Sequence, residues 1–206
     1  LLGHETEIPA ENDFIVRDMG SDSVIVARGK NGEISVSLNV CPHRGMKIST
    51  VDAGNTPIHK CIYHGWAFKP NGDFIGAPVD KECMHGKMMS KEQLSLTKAR
   101  VAVYGGMIFA TWNLDGPSFD EFLGDAKFYY DTMWCRTTSG MEVLGPPQRF
   151  TVRANWKAAG EQSAADGYHT LTLHRWLGEV GNYSKKGEGE GSGGDLSPEM
   201  YGVEVS

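Results

Sequence analysis

Cysteine is scarce in this chain, with four in 206 residues. That is too few and too scattered for a disulfide framework. Such usage points to a reducing compartment, so a cytoplasmic location is expected. No apolar run approaches the roughly 20 residues that a membrane span requires, and no signal-peptide pattern opens the chain. Basic residues are outnumbered, with 20 Lys and Arg against 26 Asp and Glu for a net charge of −6. No basic stripe with interleaved aromatics occurs, which argues against a nucleic-acid partner. The length suits one large domain or two modest ones, either with a sizeable core. The chain opens at Leu1 in mid-pattern and closes at Ser206 without a terminal element, so a piece of a longer polypeptide is expected.

Two of the few cysteines stand beside histidines. Cys41-Pro42-His43 is a C-x-H pair, Cys61-Ile62-Tyr63-His64 is a C-x2-H pair, and seventeen residues separate them. This is the ligand set of a Rieske [2Fe–2S] cluster, in which two His replace two Cys on one iron. Neutral imidazole in place of anionic thiolate leaves the cluster less negative, so it accepts an electron more readily. A structural zinc site is the competing reading. Zinc fingers pair Cys with Cys and His with His over short spacings, whereas each short pair here mixes the two. Gly45 follows the first pair, and Gly65 and Trp66 follow the second, so each pair can sit at a loop tip held by strands. Cys83-Met84-His85 repeats the C-x-H spelling without a following C-x2-H and is read as chance.

The first half of the chain reads as β. Phe14-Ile15-Val16 begins a strand, and Val24–Val26 and Ile34–Leu38 flank Asn31-Gly32. Ile34, Val36 and Leu38 fall on one face, with Ser35, Ser37 and Asn39 on the other. Asn-Gly between such runs predicts a hairpin with positive φ at both central positions. Asn71-Gly72 predicts a second turn and Gly105-Gly106 a third. Many short strands with Gly turns predict a small antiparallel sandwich or barrel with the cluster loops at one end. Residues 81–98 read as a surface excursion with one helical turn.

After Gly116-Pro117 the pattern changes, and a domain boundary is placed there. Ser118 with Glu121 spells a capping box. Met141–Leu144 and Arg149–Arg153 read as strands, and Asn155 to about Leu177 as a helix rich in good helix formers. Gly189-x-Gly191-x-x-Gly194 matches the dinucleotide fingerprint only formally. No strand precedes it, no helix follows, and Glu190 would repel a pyrophosphate. The predicted helix carries Asp166, His169 and His174. Two His and a carboxylate are the facial set for non-haem Fe(II). The two His lie about 140° apart on a regular helix, so sharing one metal requires a bulge or a helix end between them.

With these residues in view, the chain resembles the large (α) subunit of Rieske non-haem iron aromatic-ring-hydroxylating dioxygenases. The matching stretches are Cys-Pro-His-Arg-Gly at 41–45, Cys-Ile-Tyr-His-Gly-Trp at 61–66, Asn-Trp-Lys at 155–157 and Glu-Gln-Ser-Ala-Ala-Asp-Gly-Tyr-His-Thr-Leu-Thr-Leu-His at 161–174. Segment 161–174 most resembles relatives acting on polycyclic or other bulky aromatics. The resemblance implies an α+β chain, with an antiparallel all-β Rieske domain at 1–117 and the start of a helix-grip-like catalytic domain at 118–206. It implies cluster ligands Cys41, His43, Cys61 and His64, and mononuclear Fe(II) ligands His169 and His174. The third iron ligand would be an Asp beyond Ser206, since Asp195, Glu199 and Glu204 lie too early.

Under the same resemblance Asp166 bridges a cluster His of the neighbouring subunit to an iron His, here His64 and His169. Gln162 and Ser163 lie near the substrate pocket, where a small Ser leaves room for a larger ring. The implied partners are a ferredoxin and/or reductase fed by NAD(P)H, a small β subunit, and two further α subunits in a trimer with electron transfer between subunits. The implied reaction adds both atoms of O2 to an aromatic ring, giving a cis-dihydrodiol, and the piece alone is expected to be inactive. Two alternatives stand beside it. One is a non-catalytic Rieske electron carrier, which would leave Asn155–His174 idle. The other is a monooxygenase or O-demethylase of the same superfamily.

Overall fold

A computed structural model describes residues 1–78, 89–167, 169 and 172–176. Cys83, the Gly189–Gly194 run and the three late carboxylates lie outside them. Contacts divide the chain into two units, Leu1–Pro146 and Pro147–Ser206. The fold is α+β, with antiparallel pairing throughout its sheets. No helix among the described residues is long and apolar enough to cross a membrane.

The first unit stacks three small sheets. Strands β1 (Gly3–His4), β2 (Asp13–Met19), β3 (Asp22–Arg28), β4 (Ile34–Leu38) and β5 (Ala53–Asn55) come first. They are followed by β6 (His59–Lys60), β7 (Ala67–Phe68), β8 (Phe74–Gly76), β9 (Arg100–Tyr104) and β10 (Met107–Thr111). The central sheet has the order β4-β3-β2-β5, flanked by β1-β10-β9 and β6-β7-β8. Strand alternation sends residues to two cores. Phe14, Val16, Ile25 and Ala27 join Phe68, Phe74, Leu94, Leu96, Cys41 and Cys61. Ile15, Val24, Val26 and Val36 join Leu2, Ile8 and Ile108. The central sheet is therefore buried on both faces, which explains its near-continuous apolar runs.

The strands expected at Phe14–Val16, Val24–Val26 and Ile34–Leu38 are present, and so is the β9–β10 hairpin. Its turn has positive φ at both Gly105 and Gly106, and Tyr104 pairs directly with Met107. The two Asn-Gly turns depart from expectation. Only Gly32 and Gly72 have positive φ. Gly32 N–H donates to Gly29 O at 3.0 Å, and Gly29 N–H to Glu33 O at 2.7 Å. Gly72 and Lys69 repeat this with Lys69 O and Asp73 O, both at 2.9 Å. These are wider turns closed by a glycine bulge, in which Asn need not leave the ordinary helical region.

A Cβ on Gly106 would sit 2.0 Å from His4 Nε2, at φ +81°. Gly106→Ala is therefore expected to destabilise the first unit by at least about 2 kcal/mol, combining backbone strain with overpacking. Urea unfolding of the variant checks this.

Past the sheets, α1 (Lys91–Leu94) supplies the single helical turn expected in 81–98. The capping box at Ser118 is present. Glu121 N–H donates to Ser118 Oγ at 3.2 Å and Ser118 N–H to Glu121 Oε2 at 2.8 Å, opening α2 (Phe119–Leu123). Helix α3 (Ala126–Trp134) follows. Phe119 and Tyr130 pack on Phe109, at ring separations of 4.5 and 5.9 Å, and Tyr104 donates to Asp131.

The strands expected at Met141–Leu144 and Arg149–Arg153 do not form. Leu144 is 92% exposed and Phe150 84%. An apolar run becomes a strand only beside another strand, and no strand runs along these segments among the described residues. The long helix expected from Asn155 is shorter. Helix α4 spans Trp156–Ala165, capped by the Asn155 side chain on Lys157 N–H at 3.0 Å. It ends at Asp166, whose backbone leaves the helical region at φ −84°, ψ 78°.

Candidate metal centres

Two loops of one design carry the Cys and His pairs. In the first, Cys41 N–H donates to Met46 O at 2.8 Å and Gly45 N–H to Cys41 O at 2.9 Å. In the second, Cys61 N–H donates to Trp66 O at 2.8 Å and Gly65 N–H to Cys61 O at 2.9 Å. Gly45 and Gly65 share φ +72°. Each loop thus closes over five residues and turns back through a left-handed glycine. The plans differ at one point, because the histidine comes two residues after the cysteine in the first loop and three after it in the second.

The loops bring the four side chains together by type. Cys41 and Cys61 are each 2% exposed, unbonded to each other, and near enough to hydrogen-bond through sulfur. His43 and His64 meet edge to face, with ring centroids 4.6 Å apart. His43 is half-buried and His64 exposed. Among the described residues, no three or more His, Cys, Asp or Glu are gathered around one point. Two thiols as one pair and two imidazoles as another suit a two-iron unit with unlike ends.

Local electrostatics act on the Cys41 sulfur in both directions, with a net upward shift of the thiol. Burial pushes the Cys41 thiol up. The backbone N–H groups of His43 and Arg44 aim at its sulfur and pull the other way, while the Cys61 sulfur raises it again. A metal would remove that proton outright, leaving the N–H groups to hold the anionic sulfur.

The histidine rings are wedged by aromatics. Trp66, buried, stacks on His43 with an interplanar angle of 3° at 4.9 Å, and Phe74 backs Trp66 at 4.9 Å. Tyr63 lies against His64 at 3.9 Å. Sequence reasoning placed Trp66 beside the site but missed its role in bracing a ring from the other loop.

Asn39 was also missed. It is 0% exposed, and its carboxamide makes four hydrogen bonds at the base of the first loop. Burial of Ser37 and Asn39 runs against their polarity. The Lys69–Asp73 turn covers Ser37, where a Cβ on Gly72 would lie 3.2 Å from Ser37 Cβ, and the returning Ile48–Ser49 arm meets Asn39.

The second unit holds the other candidate residues. Asp166 Oδ2 lies 3.4 Å from His169 Nδ1, and Asp166 Oδ1 accepts from His169 N–H at 3.4 Å. Asp166 O is 2.5 Å from His169 Nδ1. Gln162 Nε2 is 3.3 Å from His169 Nε2. The His169 carbonyl accepts from Leu173 N–H at 2.7 Å and from His174 N–H at 3.2 Å. The second of these is an i→i+5 bond, a widened turn. It brings the His169 and His174 rings to 5.0 Å despite their five-residue spacing. Ser163 lies exposed on α4, one residue after Gln162.

Comparison with known proteins agrees with this geometry. A family model of the Rieske [2Fe–2S] domain matches residues 1–104. Biphenyl 2,3-dioxygenase subunit alpha from Rhodococcus jostii is 45% identical over 178 residues, covering 86% of this chain and 38% of that protein. N,N-dimethyl phenylurea N-demethylase subunit alpha from a Sphingobium species is 43% identical over 179 residues, covering 87% and 39%. Among solved structures, naphthalene 1,2-dioxygenase from a Rhodococcus species, bound to indole, superposes with a TM-score of 0.81 at 39% identity. That match covers 87% of this chain and 41% of the other. The chain spans about two-fifths of the length of these relatives.

Proposed function

Because this chain belongs to the Rieske [2Fe–2S] domain family, we propose that it is the amino-terminal part of the α subunit of an aromatic-ring-hydroxylating oxygenase. The sorting of its donors into a thiol pair and an imidazole pair carries the reading. Cys41, His43, Cys61 and His64 would hold a [2Fe–2S] cluster, and His169 and His174 would hold a mononuclear Fe(II) with a carboxylate beyond Ser206. Bound, the cluster supplies one-electron transfer and the lone iron supplies dioxygen activation. In functional terms the Rieske domain is residues 1–117 and the catalytic domain starts at 118.

The side chains have distinct tasks. Cys41 and Cys61, buried in the core, would hold the thiolate-bound end of a cluster away from water. His43, half-buried, and His64, exposed, would hold the other end toward the surface, the side open to one-electron exchange. Asp166 holds the His169 ring by its Nδ1 side, through its main-chain carbonyl at 2.5 Å with its carboxylate 3.4 Å away, and so fixes tautomer and orientation as carbonyls and carboxylates do for metal-bound His. Gln162 and Ser163 line the side where an aromatic ring would lie.

"Subunit alpha" in the relatives' names supports a larger assembly. We assign to it a small β subunit, a trimer of α subunits, and a ferredoxin or reductase drawing on NAD(P)H. A bulky or polycyclic aromatic is the proposed substrate, with biphenyl and naphthalene as probes. Full-length protein supplied with donor proteins and isotopically labelled O2 tests this. Two labelled oxygens in a dihydrodiol support dioxygenation. One labelled oxygen, or loss of a methyl group, supports the monooxygenase reading that the N-demethylase relative favours. A cluster without any mononuclear iron would instead indicate an electron carrier.

Ser163→Phe adds a ring beside Gln162. It is expected to lower kcat/KM for biphenyl against benzene by roughly tenfold, a size-discrimination effect. Paired kinetics on the two substrates checks it, and an unchanged ratio would remove Ser163 from the pocket.

A further inference from the structure

We propose that Asn39 is a positioning residue for the first ligand loop, its buried carboxamide replacing a missing backbone rung beneath Cys41 and His43. The inference rests on the cluster reading of those residues and assigns a role to a side chain that touches no ligand.

The two loops can be compared rung by rung, moving away from their tips. The first rung is alike in both, Cys41 to Met46 and Cys61 to Trp66. The second is alike too, Val40 opposite Lys47 and Lys60 opposite Ala67. At the third they part. The second loop continues as strand pairing, His59 opposite Phe68. In the first loop the equivalent residues are Asn39 and Ile48, and Asn39 N–H is committed to Ser23 O on β3 at 2.9 Å. The main chain of Asn39 stays with the central sheet, while Ile48 and Ser49, both buried, arrive with peptide groups to satisfy.

The Asn39 side chain fills this place. Its Oδ1 accepts from Ile48 N–H at 3.2 Å and Ser49 N–H at 2.8 Å. Its Nδ2 donates to Ser49 O at 2.9 Å and to Ser23 Oγ at 3.3 Å. Both donors and both lone-pair sites of the amide are used, in a fully buried position. A carboxamide is the side-chain copy of a peptide group, so it can extend a ladder where the backbone cannot. This rung closes the loop that supplies Cys41 and His43, one thiol and one imidazole. Loosening it would move a ligand at each end of the cluster together.

The test uses full-length protein carrying its cluster, as wild type, Asn39→Ala, Asn39→Asp and Ser23→Ala. Iron and sulfide per chain, the line shape of the reduced-state paramagnetic signal, and the rate of bleaching by a chelator are measured. Asn39→Ala is expected to bleach at least tenfold faster and to broaden the signal. Asn39→Asp keeps both acceptor bonds but loses the donations to Ser49 O and Ser23 Oγ, so it too should bleach faster than wild type. It decides alone if Asn39→Ala does not accumulate as folded protein. Ser23→Ala, which leaves the loop bonds in place, should match wild type. Wild-type bleaching and line shape in both Asn39 variants would overturn the proposal. So would a lower unfolding midpoint with an unaltered signal from the loaded fraction, the mark of a purely structural residue. A wild-type protein without any [2Fe–2S] signal would overturn the cluster reading instead.

Discussion

Full-length protein carrying Cys61→Ser is expected to lose the visible absorption and the reduced-state paramagnetic signal of a [2Fe–2S] unit. Turnover should fall by more than about a hundredfold, beyond what loss of a ligand's supporting partner costs. The thiolate is the ligating form of cysteine, and a serine hydroxyl does not ionise to replace it. Cys61 is also buried in the core that contains Phe68 and Trp66, so no outside ligand can readily take its place. Cys135→Ser is the control. Cys135 is exposed at the end of α3, where its sulfur lies over the Gly105 turn. That variant should keep cluster and turnover. A Cys61→Ser protein with an intact signal would show that Cys61 holds no iron.

Asp166→Asn should separate iron binding from turnover. Asn has the same shape and can still accept from His169 N–H, as Asp166 Oδ1 does at 3.4 Å. What it loses is the negative charge 3.4 Å from His169 Nδ1. Iron content is therefore expected to stay within about twofold of wild type, while turnover drops roughly tenfold to a hundredfold, the range for supporting partners of metal-bound His. Metal analysis alongside steady-state kinetics checks both halves. Wild-type turnover in Asp166→Asn would place Asp166 outside the working site.

Much of this was legible because it is local. The two glycine-closed loops at Cys41 and Cys61, the Ser118–Glu121 box and the Gly105-Gly106 turn each depend on a few consecutive residues, and each is found where the sequence puts it. The failures have a common source in partners far along the chain. Alternation in Ile34–Leu38 sorted side chains onto two faces, but it could not tell that the Lys69–Asp73 turn would cover the polar one. Nor could it tell that Ile48 and Ser49 would return against Asn39, which gave no sign of being buried. The runs at 141–144 and 149–153 have strand-like composition, yet composition supplies no partner. The Asn-Gly pairs marked both turns, while closure onto Glu33 O and Asp73 O chose the wider type. At Asp166 the helix stops short, and the carboxylate still reaches His169 because it caps the next turn instead of sharing a helix face.

The unequal histidine offsets in two otherwise matching loops have a consequence for reading genomes. Successive Cα atoms stand 3.8 Å apart, whereas metal–ligand bonds tolerate about 0.2 Å. A single inserted or deleted residue between Cys41 and His43, or between Cys61 and His64, overshoots that tolerance many times over. The interval behaves as a ruler graduated in whole peptides, with no half marks. Drift in the surrounding residues is cheap by comparison, so counting the gaps should find distant members of this family after their flanking letters have changed.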